Sequence, residues 1–274
     1  MSYLLYAIFQ TPSDGKVPAL PSGIGDQSLI LVTREDDTGG KLTAVVSAYE
    51  PSRTNQDIDN ALLFGRVIQT LHDMATVIPM RYGCLFQDCA ALERHLEDHC
   101  REYLTVLAEL DGHVEMSVRI LVPQQQAASK RPKSCEPSPH GVGETEEKTA
   151  GLAYLQTLRR QYQSEENVRL SVAETTDRLN GQLRGLYSRN RFEAGALAGQ
   201  SMPTLHYLVP KESVGAFRNV FRDISSSVAR HRLLLSGPWP PYNFVTSALV
   251  AGEGDEETLG AGDFKPPWSE VGPR

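Results

Sequence analysis

One stretch constrains what the rest of this chain can fold into. From Gln124 to Lys148 the sequence runs QQQAASKRPKSCEPSPHGVGETEEK, polar, proline-rich and nearly free of large apolar side chains. Such a segment buries too little surface to offset the entropy of ordering it. It reads as a flexible linker and divides the 274 residues into two folded parts. The divisions expected are residues 1–123, a linker at 124–148, a second unit at 149–246 and an acidic, Gly- and Pro-rich disordered tail at 247–274. The hydrophobic share of 40% fits a globular chain. The formal charge of −7 argues against a partner that presents a phosphate backbone, so no nucleic acid is expected.

The first part alternates strand and helix patterns. Ser2–Gln10, Ser28–Glu35 and Lys41–Glu50 are rich in Leu, Ile, Val and Tyr, and Gly39-Gly40 supplies a turn before the third. Thr54-x-x-Asp57 has the form of a capping box. It opens a helix with Ile58, Leu62, Gly65, Ile68, Leu71 and Ala75 on one face. TVIPMRYGCLF follows as a strand that starts or bulges at Pro79, with Arg81 and Tyr82 inside it. Cys89, Leu92, Leu96, Cys100, Tyr103, Leu107 and Leu110 then predict one helix ended by Gly112, and His113–Val122 a further strand. The order β-β-β-α-β-α-β makes this an α+β unit.

In the second part, Leu152 to Leu186 holds no proline and no glycine before Gly181. Leu155, Leu158, Tyr162, Val168, Val172, Leu179 and Leu183 keep a helical period, so one helix of ~45 Å is predicted. A break near Ser164-Glu165-Glu166 would give a helical hairpin instead. A strand at Arg189–Leu197, another at Thr204–Val209, a helix carrying Val214, Phe217, Phe221, Ile224 and Val228, and a closing strand at Arg232–Leu235 complete α-β-β-α-β. This is a split β-α-β unit short of one strand. Gly237-Pro238-Trp239-Pro240-Pro241-Tyr242 ends it. The prolines are expected to deny a sheet edge to further strands, with Trp239 buried and Tyr242 packed back over the edge. A polyproline ligand for an SH3-type partner is the less favoured alternative.

Chemistry-bearing groups are sparse. Cys84, Cys89, His95, His99 and Cys100 include two histidines at i, i+4, a spacing that lets two imidazoles share a metal. Two of the cysteines fall on a buried stripe, where a thiol behaves as a small hydrophobe, and that reading is favoured. His72-Asp73 lacks a partnering nucleophile motif, and neighbours on a helix do not face each other. Gly141-Val142-Gly143 and Gly252-Glu253-Gly254 are not placed between a strand and a helix, as a phosphate loop would be. The N-terminus MSYLLYAIFQ lacks a basic export signal, and no run approaches the ~20 apolar residues of a membrane span. The expectation is a cytoplasmic, non-enzymatic binding protein without a cofactor, catalytic residue or metal site. A small-ligand or metal-binding regulator built on Cys89, His95 and His99 is the alternative.

Six stretches in order carry a resemblance. They are YLLYAIF (Tyr3–Phe9), TVIPMRYGCLFQD (Thr76–Asp88), LDGHVEMSVRIL (Leu110–Leu121), GLAYLQTLRR (Gly151–Arg160), YLVP (Tyr207–Pro210) and GPWPPYNF (Gly237–Phe244). Together they resemble the GvpL/GvpF family of gas vesicle proteins. The departures are Gly65-Arg66-Val67 in place of a common helix histidine, Tyr82 for phenylalanine, Cys84 for threonine and Met116 for tryptophan. The resemblance implies a two-domain accessory protein, α+β followed by a modified ferredoxin-like fold with an extended helix, in either the F or the L branch. It implies contact with the hydrophobic shell protein GvpA and other accessory proteins during assembly. Retention on the gas-facing side of the vesicle is also implied. Pro79, Arg81, Tyr82, Leu155, Tyr162, Trp239 and Tyr242 are the candidate partner contacts.

Overall fold

The computed structural model describes residues 2–11, 20–35, 39–50, 58–122, 144–197, 200–228 and 230–245. The Thr54–Asp57 capping box, most of the 124–148 linker and the tail lie outside them.

The first sheet is antiparallel throughout, in the order β2 (Ile30–Glu35), β3 (Lys41–Tyr49), β1 (Ser2–Gln10), β4 (Val77–Pro79), with β5 (Leu85–Phe86) also on β1. Leu4 to Phe9 are consecutive and all buried, so both faces of β1 are covered. Helix α1 (Ile58–Met74) and helix α3 (Cys100–Leu110) both pack on it, and α2 (Cys89–Asp98) reaches β2. Tyr6 pins the segment before β2. Its hydroxyl accepts from the Ile24 N–H at 3.0 Å, bonds the Ser47 hydroxyl at 3.0 Å, and its ring stacks on Phe64.

Three sequence expectations change in this sheet. TVIPMRYGCLF is two short strands around a turn, with Gly83 at φ +94, so Arg81 and Tyr82 sit in the turn rather than in a strand. The helix expected from Cys89 to Leu110 is broken at His99, whose φ of −109 and ψ of 10 leave the helical region. The buried stripe of α1 runs through Phe64, Val67, Ile68 and Leu71. Ile58 and Leu62 lie outside that stripe and are exposed.

The second sheet has the order β11 (Arg232–Trp239), β6 (His113–Leu121), β10 (Thr204–Pro210), β7 (Arg189–Glu193), again fully antiparallel. A small hairpin of β8 (Ala196–Leu197) and β9 (Gln200–Ser201) links β7 to β10. Helix α4 (Glu144–Gln182) follows β6, and α5 (Val214–Ser227) follows β10. Read from β6, the order is β-α-β-β-α-β, the ferredoxin-like arrangement. The strand that the sequence reading found missing from the second part is His113–Val122, which it had grouped with the first. A boundary at residue 123 therefore does not separate the two sheets. Helix α4 is continuous through Ser164–Glu166, which excludes the helical hairpin, and it already spans residues 144–148 of the expected linker.

The second core gathers Met116, Val118, Ile120, Leu179, Leu183, Tyr207, Phe217 and Ile224 between sheet and helices. The two cores meet at the C-terminus: Phe244 and Val245, just beyond β11, belong to the core of the first sheet, as does Leu208 of β10.

The closing prolines behave differently from expectation. Strand β11 runs on through Gly237 and Pro238 to Trp239, with a bulge between Ser236 and Trp239. It can do so because β11 is an edge strand, where a missing N–H leaves no ladder bond unmade. Gly237 holds φ +114, and a Cβ there would meet the Glu115 carbonyl oxygen at 2.7 Å, so no other residue fits. Trp239 is half-buried rather than fully enclosed, and Tyr242 packs against the first core.

A buried polar cluster ties these parts together. The His206 Nδ1–H donates to Glu115 Oε1 and its Nε2–H to Glu193 Oε2, both at 3.0 Å. The Asn243 backbone N–H and side-chain amide donate to Glu115 at 2.9 and 2.7 Å, and the Ser117 hydroxyl adds a 3.2 Å bond. Burial alone would depress the His206 pKa, but the bonds to Glu115 and Glu193 outweigh it and hold the value at about 9. The imidazolium is therefore the resting form.

Two outcomes are expected. Because the folded pKa of His206 lies above its ordinary ~6.5, its contribution is complete below that value and is lost as pH rises through 9. Urea midpoints should fall between about pH 6.5 and 9 by an amount on the order of 2 kcal/mol, and His206→Gln should flatten that slope. Phe244→Ala should destabilise the protein by about 3–5 kcal/mol in the same measurement, as loss of an aromatic ring from a packed core does.

Candidate partner-binding surface

The helix that follows β6 is longer than the sheet it covers. Its 39 residues extend ~58 Å, but Val172, Thr175, Leu179 and Leu183, the residues buried in the second core, all lie in the last third. Between Leu155 and Asn167 the described side chains are exposed except Leu158 and Ser164, which are half-buried. Leu155 and Tyr162 are 60% and 64% exposed and lie seven residues apart, on one side of the helix. Arg169 forms an exposed ion pair with Glu166 at 2.9 Å, of the sort that adds little to stability.

Where α4 meets the sheet, an open groove of about 720 Å³ runs between the helix and β7. Its walls are mostly apolar: Val168, Val172 and Ala173 from α4, and Phe192, Ala194 and Pro203 from β7 and the loops around the small hairpin. Glu165, Arg169 and Asp177 edge it. Phe192 is 50% exposed on an edge strand whose other residues are Arg189, Asn190, Arg191 and Glu193. Those four are held by Glu109, Asn180, the Asn243 carbonyl and His206, so Phe192 is the side chain of β7 turned to the groove. The Thr176 hydroxyl is buried at the groove without a hydrogen-bond partner.

The candidates named from sequence fall into three places. Leu155 and Tyr162 lie on the projecting part of α4. Pro79 is buried on the first sheet, and Arg81 and Tyr82 are half-buried in the adjoining turn, where the Tyr82 ring meets Phe64 edge-on at 5.3 Å. Trp239 and Tyr242 lie at the end of β11. Burial, then the neighbouring Glu115, raise the Tyr242 pKa, so its phenol stays protonated. The groove was not anticipated. Its one signal in the sequence is a lone phenylalanine among polar residues in Arg189–Glu193.

The histidine pair is bound up in its own helices. His95 Nε2 accepts from the Tyr103 hydroxyl at 2.7 Å, and His99 Nδ1–H donates to the His95 carbonyl at 3.0 Å. Burial lowers the His95 pKa to about 4 and raises that of Tyr103, which fixes neutral partners for that bond. The Cys89 thiol points to Glu93 at 3.6 Å, and Cys84 and Cys100 are buried. Among the described residues no three His, Cys, Asp or Glu side chains converge as a metal site would require. His72 faces inward and burial lowers its pKa to about 4, whereas Asp73 faces out and accepts from Gln69. The two do not act as a pair. No helix among the described residues is long and apolar enough to cross a membrane.

The family model described as gas vesicle synthesis protein GvpL/GvpF matches residues 2–246. The chain belongs to the GvpL/GvpF family. It is 26% identical to gas vesicle protein L of a Streptomyces species, over 94% of this chain and 97% of that protein. It is 27% identical to gas vesicle protein F of the same organism, over 89% and 100%. Gas vesicle protein F1 of Halobacterium salinarum is 24% identical over 74% of this chain and 77% of its own. The fold is similar to crystal structures of GvpF from Anabaena sp. (TM-score 0.58, 18% identity, 89% of this chain and 96% of that one) and from Microcystis aeruginosa (TM-score 0.57, 17% identity, 89% and 98%). Membership of this family supports a role in gas vesicle formation.

Residues outside the cores should tolerate change. Tyr162→Ser is expected to move the unfolding free energy by less than about 0.5 kcal/mol, while Val172→Asp, at the edge of the second core, should cost several kcal/mol. Chemical denaturation of the two variants side by side checks this.

Proposed function

We propose that this chain is an accessory or minor structural protein of gas vesicle formation that binds the hydrophobic shell protein GvpA and other accessory proteins during assembly. Its role is non-catalytic. It holds an aggregation-prone subunit until that subunit joins the growing wall, and it stays with the vesicle on the gas-facing side as well as in the cytoplasm. The observation that carries this reading is the open, mostly apolar groove between α4 and β7, set in a member of a gas vesicle family. An exposed apolar channel is costly to leave facing water unless a partner fills it. Its dimensions suit a strip of a small apolar protein, and Phe192 offers the exposed aromatic anchor on which such contacts concentrate. The turn at Pro79, Arg81 and Tyr82, and the β11 end at Trp239 and Tyr242, are the proposed contacts for other accessory proteins.

Capture of the shell protein by the immobilised full chain tests the groove. Wild type should retain it, and Phe192→Glu should weaken retention by about tenfold or more while the thermal midpoint stays within a few degrees. Equal retention by both proteins would remove the groove from the account.

A further inference from the structure

The projecting part of α4 poses a problem of its own. A helix exposed on nearly every side draws no stability from a buried face, and short isolated helices are marginal in water. Between Leu155 and Asn167 the described residues include no ion pair that would compensate, apart from Glu166 with Arg169. This stretch nevertheless carries an apolar stripe, Leu155, Leu158 and Tyr162, at spacings of three and four. By helical geometry the stripe continues along the side of α4 that borders the groove.

We propose that a second copy of this chain covers the stripe, the two α4 helices packing antiparallel about a two-fold axis at Tyr162. The charge order along the helix selects this arrangement. Arg159 and Arg160 lie just before Tyr162, and Glu165 and Glu166 just after it. All four are exposed. In an antiparallel pair centred on Tyr162, residue 162−k of one helix faces 162+k of the other. Arg159 then faces the second copy's Glu165, with Arg160 and Glu166 one residue to either side, and the axis repeats every contact. A parallel pair in register would set arginine beside arginine and glutamate beside glutamate, which costs free energy instead. The same geometry brings Leu155 and Leu158 of one copy over Arg169 and Glu166 of the other, at the mouth of the groove where Val168 lies. One continuous surface thus supplies both halves of an isologous interface. The association involves this chain alone, so its test is independent of whether the groove also takes shell protein.

Sedimentation velocity of the full chain at low salt should show a monomer–dimer equilibrium with a dissociation constant on the order of 10 μM. Arg159→Glu with Arg160→Glu should weaken it at least tenfold, as should Glu165→Arg with Glu166→Arg, with helix content by circular dichroism unchanged. An equimolar mixture of those two reversed proteins should form a 1:1 dimer, because only the mixed pair restores opposite charges across the axis. A wild-type chain that stays monomeric up to about 200 μM overturns the proposal. So do reversed variants that associate as well as wild type, or a mixture that fails to pair.

Discussion

A carboxylate taken out of water must be compensated, and the way Glu115 is compensated organises much of this fold. It sits on β6, 3% exposed, and its partners come from three other places in the chain: His206 on β10, Ser117 on β6 and Asn243 beyond β11. His206 in turn draws in Glu193 of the edge strand β7. Buried ion pairs often contribute little net stability, but breaking one leaves an uncompensated charge, so they discriminate strongly between arrangements. Asn243 must stand at Glu115, and Phe244, the next residue, is thereby placed in the core of the first sheet. One buried acid links four strands and fastens the C-terminal turn across both cores.

Local pattern made much of the architecture readable. The strands at Ser2–Gln10, Lys41–Glu50 and Thr204–Val209 and the stripe of α5 announce themselves through period and side-chain type, which depend on neighbours close in sequence. The failures all involve partners distant in sequence. Nothing within His113–Val122 says whether its ladder goes to β1 or to β10 and β11, because a strand buried on both faces looks the same in either sheet. The helix break at His99 is hidden because the apolar stripe resumes in phase on the other side. The prolines after Leu235 suggested an end to the strand, and only the edge position of β11 lets it continue through Pro238. Phe192 was passed over since a single aromatic in a polar strand carries no periodic signal, and its meaning depends on a helix twenty residues upstream.

Exposure is distributed with the same logic. The side chains of β7 that could attract stray strands are engaged by Glu109, Asn180, the Asn243 carbonyl and His206, and two are arginines, which blunt an edge. Apolar surface left open is concentrated instead along α4 and the groove beside it. A gas vesicle protein has reason to separate the two. Edge pairing is unselective, whereas a shaped groove and a charged helix accept only surfaces that match them.

The position of β6 has a consequence for synthesis. It is the central strand that leaves the ribosome before α4, β7, β10, α5 and β11, yet both of its neighbours in the sheet come from the far end of the chain. For as long as translation of the last hundred or so residues takes, on the order of ten seconds at typical rates, the nascent protein carries an apolar strand with two open sides. Rare codons or a premature stop downstream of Leu121 would prolong that interval, so the cell's co-translational chaperones, rather than the finished fold, would decide how much of this protein survives its own manufacture.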